Sequence, residues 1–129
     1  MILVDTSVWI EILNEKLGER VSADHLLQFV TCGPIVQEVL QGLRESPVTD
    51  GLRESFLTIP RLGDPLPVEL FLEAAEIYRR GRRKGYTIRS SVDCLIAAIA
   101  IENRVPVYHK DRDFIAIARY TGLETLDRL

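Results

Sequence analysis

Four acidic residues spread along the chain, Asp5, Glu38, Asp93 and Asp111, each sit at or just behind an apolar stretch, and Asp113 stands two residues beyond the last. Asp5 ends the run Met1-Ile2-Leu3-Val4, and Glu38 lies one turn after Pro34 on an amphipathic stretch. Asp93 is the one acid in the first turns of a long apolar run, and Asp111 follows Val105-Pro106-Val107-Tyr108-His109 closely. Carboxylates gathered together raise one another's pKa, so four at one site require a cation among them. In this reading the acids share one edge and lack basic partners of their own. Oxygen donors without His or Cys favour a hard ion, Mg²⁺ or Mn²⁺, over zinc. Such an ion polarises a phosphate, generates hydroxide and stabilises a leaving oxygen, which is the chemistry of phosphodiester hydrolysis. Thr6 and Ser7 bring hydroxyls beside Asp5, and either can cap the helix that follows. His25 and His109 do not form a zinc set, and Cys32 and Cys94, both in apolar contexts, read as buried reduced thiols. Nothing resembles a nucleophile elbow, a Cys–His set or a Gly-rich phosphate loop.

These acids meet only if the elements between them fold into a parallel sheet. Ile2-Leu3-Val4, apolar without interruption, reads as a strand buried on both faces. The C-terminal ends of such strands are where open α/β sheets bind ligands, and right-handed crossovers bring every such end to one edge. Residues 8–13 continue as a short helix that fades into a polar stretch at 14–18, residues 21–27 read as a second helix, and 28–32 as a second strand. Gly33-Pro34 then starts a helix through Ile35, Val36, Val39, Leu40 and Leu43, since proline is tolerated at the first helical position. Ser46-Pro47 opens another helix to Leu57, and residues 59–62 form a third strand, placed at an edge by Pro60. The longest helix runs from Val68 to about Lys84, with Leu70, Ala74, Ile77 and Tyr78 as its apolar stripe and Gly85 as its stop. Ser90 or Ser91 caps the next helix. That helix is apolar nearly all round and so belongs in the interior, where Asp93 calls for a nearby cation. Residues 105–109 make a fourth strand, Ile115 to about Tyr120 a helix stopped by Gly122, and 123–126 a fifth strand.

At 129 residues, 47% hydrophobic and 27% charged, the chain has the composition of one ordinary globular domain over residues 1–129, without repeats or low-complexity segments. It carries neither a signal-peptide pattern nor a membrane anchor, so the expected location is the cytoplasm. A net charge of −3 argues against simple coating of nucleic acid, yet six of the sixteen basic side chains fall within residues 79–89. Trp9, Ile10, Leu13, Phe29, Leu70, Phe71, Leu72 and Tyr78 are more large apolar groups than two helix stripes need. Some are expected on the surface of a monomer, available to a two-fold interface.

Together, Ile2-Leu3-Val4-Asp5-Thr6-Ser7-Val8, Glu38 behind Gly33-Pro34, Ser91-Val92-Asp93-Cys94-Leu95-Ile96-Ala97-Ala98 and His109-Lys110-Asp111-Arg112-Asp113-Phe114 resemble the PIN-domain ribonucleases. Most similar are the small single-domain VapC toxins of bacterial and archaeal toxin–antitoxin pairs. The resemblance spans the chain and implies an α/β, three-layer fold with a central parallel β-sheet flanked by helices. It also implies a Mg²⁺- or Mn²⁺-dependent endoribonuclease that forms a homodimer and is inhibited by a VapB-type antitoxin. By position, Asp5, Glu38, Asp93 and Asp111 correspond to the family's catalytic acids, with Asp5, Asp93, Asp111 and Asp113 as metal ligands and Thr6 or Ser7 as hydroxyl support. Arg82, Arg83, Lys84 and Arg89 are then expected to guide an RNA backbone towards the metal. Two other readings stay open: a housekeeping RNA-processing PIN nuclease, and a non-catalytic RNA- or protein-binding PIN module. A haloacid-dehalogenase-type phosphatase needs a second Asp where Ser7 stands, and a phospho-receiver domain needs an acidic pair after the first strand.

Overall fold

A computed structural model describes residues 1–13 and 21–129; the polar stretch at 14–18 lies outside the described residues. Strands β1 (Ile2–Val4), β2 (Phe29–Val30), β3 (Val107–Tyr108) and β4 (Thr125–Leu126) form one parallel sheet in the order β2-β1-β3-β4. Leu3 pairs with Val30 on one side and Val107 on the other. Neighbouring residues of a strand point to opposite faces, so the burial of Leu3 with Val4, Phe29 with Val30 and Val107 with Tyr108 means that helices cover both faces. This is the expected three-layer α/β arrangement.

The covering elements are α1 (Thr6–Leu13), α2 (Ala23–Leu26), α3 (Gly33–Gly42), α4 (Pro47–Leu57), α5 (Val68–Arg83), α6 (Ser91–Asn103) and α7 (Arg112–Ala118). Helix α6 is the central one. Seven of its residues, Asp93, Cys94, Ile96, Ala97, Ala98, Ile99 and Ala100, are buried, and the three alanines let neighbouring helices approach closely. Helix α5 packs on it along Leu70, Ala74, Ile77 and Gly81. That stripe replaces Tyr78 with Gly81, and the reason is Tyr120: its hydroxyl donates to the Ile77 carbonyl (2.9 Å), and its ring lies where a Cβ on residue 81 would be. Gly85, at φ +85°, ends the helix as expected. Among the described residues no helix is long and apolar enough to cross a membrane.

Several expected elements are shorter than the sequence suggests. Residues 59–62 do not form a strand; they make one parallel bridge, Thr31 to Arg61, beyond the β2 edge. The Pro60 carbonyl accepts from Thr31 N (2.8 Å) and Leu62 N donates to Thr31 O (2.8 Å), but Pro60 has no N–H to offer a further strand, and the chain turns away at Gly63. Helix α2 spans only four residues behind a Ser22–His25 capping box. Ser46 does cap α4, in a capping box with Thr49. Helix α7 starts at Arg112 and not at Ile115, because Asp111 caps it. Ser90 holds the N-cap position of α6 without a side-chain capping bond.

Trp9, Phe29 and Leu70 are buried, Trp9 meeting Phe29 and Phe56 edge-on at 5.7 and 5.1 Å, whereas Ile10, Phe71 and Leu72 are exposed. Two glycines test the packing account. Gly81→Val should destabilise by about 1–3 kcal/mol by displacing Tyr120. Gly51→Ala, exposed inside α4 with open space around it, should stabilise by about 0.5–1 kcal/mol. Urea unfolding midpoints check both.

Candidate metal centre and active site

The sheet order reverses at β1: the chain passes outward to β2 and returns on the other side as β3. At such a switch point the segments leaving the two central strands diverge and leave a crevice at their C-terminal ends. Asp5 leaves β1 there, its amide donating to Tyr108 O (2.9 Å). Its Oδ2 accepts from Ser7 N (3.2 Å) and Ser7 Oγ (2.7 Å), and its carbonyl accepts from Val8 N and Trp9 N (3.1 Å each). The group capping α1 is therefore the Asp5 carboxylate and not the hydroxyl of Thr6 or Ser7. The hydroxyls are committed elsewhere. Ser7 Oγ accepts from Lys110 N (3.1 Å), tying the segment after β1 to the one after β3, and Thr6 Oγ1 donates to Glu38 Oε1 (3.1 Å), tying α1 to α3.

The segment after β3 is held as tightly. Asp111 Oδ1 accepts from Asp113 N (2.9 Å) as the cap of α7. Asp111 N in turn donates to Nδ1 of buried His109 (3.2 Å), which requires a neutral ring with Nδ1 unprotonated, and burial lowers the His109 pKa in that direction. His109 is thus a positioning residue. Its role depends on a backbone contact two residues on, a signal no spacing in the sequence carries.

Carboxylate oxygens of Asp93, Asp111 and Asp113 lie within 4.8 Å of one another. Asp5 and Glu38 fall outside this tightest group but act on it electrostatically. Asp93 is buried, and its carboxyl is pushed up to about 8, first by burial and then by the charges of Asp5, Asp111, Asp113 and Glu38. Burial likewise raises Asp5 and Glu38, partly offset by Ser7 and Thr6. One basic group does reach the acids, contrary to the expectation that they lack basic partners. Arg89 donates from its backbone N to Asp113 Oδ2 (3.1 Å), and its guanidinium meets Asp111 Oδ1 at 3.3 Å and Asp113 Oδ1 at 3.5 Å. More than half exposed, that side chain is a weak ion-pair partner, and it leaves Asp93 unpaired.

The residues fit a hard divalent cation. Asp93 Oδ2 is buried with no hydrogen-bond partner among the described residues, whereas buried polar atoms are normally paired. The donors are all carboxylate oxygens, the ligand type of a hard cation, and they lie within 4.8 Å of one another. The cysteines offer no softer alternative: Cys32 and Cys94 are free and buried, with thiols pushed up to about 12 and about 11 by burial. Asp93, Asp111 and Asp113 would hold the ion, with Asp5 adjoining.

An all-parallel four-stranded sheet carrying clustered acids at its switch point defines a class, and the chain belongs to it: residues 2–120 match the PIN domain family. Within that family it is 36% identical, over 96% of both chains, to ribonuclease VapC11 of Mycobacterium tuberculosis and equally to a VapC ribonuclease of Mycobacterium bovis. Among solved structures it resembles FitAB bound to a DNA fragment (TM-score 0.71, 23% identity, 98% of this chain and 94% of that one). VapBC2 from Rickettsia felis bound to promoter DNA is similar in fold as well (TM-score 0.69, 15% identity, 98% of both chains).

Of the basic residues expected near RNA, Arg89 sits on the acids, while Arg82, Arg83 and Lys84 lie at the end of α5 and contact none of them. Arg83 pairs with Glu76 instead (2.8 Å). The electrostatics give a pH prediction for metal-free protein. An unfolded Asp gives up its proton near 3.8, whereas folded Asp93 keeps it to about 8. The folded state binds the extra proton across that window, and stability falls as pH rises through it. His109, with its pKa lowered, works in the opposite sense below 6.5. Comparison with Asp93→Asn isolates the Asp93 contribution: melting temperatures in EDTA should converge towards pH 4, with the variant increasingly the more stable up to about pH 8 and the difference level above that.

Proposed function

We propose that this protein is a metal-dependent endoribonuclease, using Mg²⁺ or Mn²⁺, and the toxin half of a toxin–antitoxin pair in the cytoplasm. The observation that carries this reading is the convergence of Asp93, Asp111 and Asp113 on one crevice, with a buried Asp93 oxygen left unpartnered. Asp5, Glu38, Asp93 and Asp111 form the catalytic set, Asp5, Asp93, Asp111 and Asp113 the metal-binding set, and Thr6 and Ser7 support Glu38 and Asp5. The names of the VapC relatives and of the VapBC and FitAB structures support both halves of the proposal. We read residues 1–129 as one functional domain.

A divalent ion bound there supplies charge to a phosphate oxygen and lowers the pKa of water. The rest falls to the chain. The hydroxyl and amide of Ser7 hold Asp5 Oδ2 and favour its charged form against the opposing effect of burial, and His109 fixes the backbone that orients Asp111. Glu38 Oε1 is held by Thr6, while Oε2 has no hydrogen-bond donor among the described residues. With its pKa raised by partial burial, that oxygen is suited to take a proton from the attacking water. The exposed Phe71 and Leu72, with Val68 beside them on α5, support a homodimer, and a VapB-type antitoxin segment bearing Arg or Lys could pair with the acids to shut the site.

Purified protein should cut RNA with Mg²⁺ or Mn²⁺ and lose that activity in EDTA. Asp5→Asn and Asp93→Asn should each lose about 10- to 100-fold or more. Cells expressing the wild type should stop growing unless a cognate antitoxin is supplied. Full activity in EDTA would sink the metal requirement, and harmless expression of active protein would sink the toxin role.

A further inference from the structure

Beside the carboxylate cluster runs a groove of about 570 Å³ whose walls come from the α5–α6 connection and the exposed face of α7. Its lining includes Asp113, the arginines Arg89, Arg112 and Arg119, and Tyr86 and Thr87. Arg89 is already engaged by Asp111 and Asp113. Arg112 and Arg119 are exposed and have no ion-pair partner among the described residues. They stand seven residues apart, two helical turns along one face or roughly 10 Å. Tyr86, partly exposed, is stacked on Tyr120 with ring centroids 5.4 Å apart and planes at 24°. That contact holds the Tyr86 ring fixed at the groove wall.

We propose that this groove is the path of single-stranded RNA into the site, with Arg112 and Arg119 holding phosphates beside the bond to be cut and Tyr86 offering its ring to a base. The inference rests on the reading of the protein as an RNA-cleaving enzyme. Spaced guanidinium groups and a fixed aromatic ring are the two components with which proteins track a single strand without reading its sequence. An acidic protein segment would also be drawn to the arginines. RNA fits better because Asp113, one of the clustered carboxylates, is itself part of the groove lining, so a strand lying in the groove meets the site. At the end of α5, Arg83 pairs with Glu76, and among the described residues Arg82, Arg83 and Lys84 make no ion pair with the clustered acids.

The test is binding of a fluorescent single-stranded oligoribonucleotide to the protein in EDTA, where no cleavage is expected, followed by anisotropy across a salt series. Arg112→Gln and Arg119→Gln should each weaken binding several-fold and make the salt dependence shallower by about 0.7 per arginine removed. KM for RNA cleavage should rise while kcat is largely kept. Arg112→Lys and Arg119→Lys should retain the salt slope, and the triple replacement of Arg82, Arg83 and Lys84 by Gln should change it less than the Arg112/Arg119 pair does. An unchanged slope in the Arg112/Arg119 double Gln variant, with wild-type binding and cleavage intact, overturns this inference alone. Loss of antitoxin binding with RNA binding unchanged overturns it too, assigning the groove to the protein partner. A wild type that neither binds nor cuts RNA overturns the enzyme reading beneath it.

Discussion

Repulsion among carboxylates is the constraint on which the rest of this structure depends. Two like charges about 5 Å apart repel by roughly 3 kcal/mol at an effective dielectric constant near 20. A single hydrogen bond contributes about 1 kcal/mol, or up to about 3 when one partner is charged. No one contact could hold Asp93, Asp111 and Asp113 within 4.8 Å of one another, with Asp5 and Glu38 adding their fields. The metal-free protein relieves part of the strain by protonation, which is why Asp93, buried and facing the charges of Asp5, Asp111, Asp113 and Glu38, is shifted to about 8. Arg89 relieves another part from the solvent side.

The scaffold spreads the work over elements far apart in the chain. Asp93 is committed by α6, whose apolar surface places it in the interior whatever its own preference. Asp5 is committed by β1, whose pairing with β3 brings Ser7 to the Lys110 amide across 103 residues of sequence. Glu38 is joined to the same corner by one hydroxyl, that of Thr6. A site built this way is positioned by the scaffold and carries an excess of negative charge that Arg89 alone does not balance, the condition that favours binding a metal over rearranging the protein around it.

Much of this could be read from the residues, and the limits have physical causes. Parallel pairing was legible because Ile2-Leu3-Val4 is apolar without alternation, and the interior position of α6 because its apolar residues cover every face. The acids were legible because each interrupts or follows such a run. Strand lengths were not. Pro60 and Pro106 each remove a ladder donor, so 59–62 contributes one bridge and 105–109 only two paired residues. Side-chain allegiance was also hidden. Ser7 looks like a cap until Lys110 arrives from the other end of the chain, and Arg89 reads as one of a basic run until the α5–α6 connection folds it onto Asp111 and Asp113. Trp9 and Phe29, counted among the surplus apolar groups, instead pack edge-on in the core.

The central claim is that buried, partly protonated carboxylates wait for a divalent cation. Calorimetric titration of Mn²⁺ into the metal-free protein, in buffers of different ionisation enthalpy, tests it most directly, because binding must displace the proton that Asp93 holds. The account predicts binding with release of about one proton per site at pH 7, fading above about pH 9, and loss of both the binding and the proton release in Asp93→Asn. Tight binding with no proton released at pH 7, or the same binding in Asp93→Asn, would contradict it.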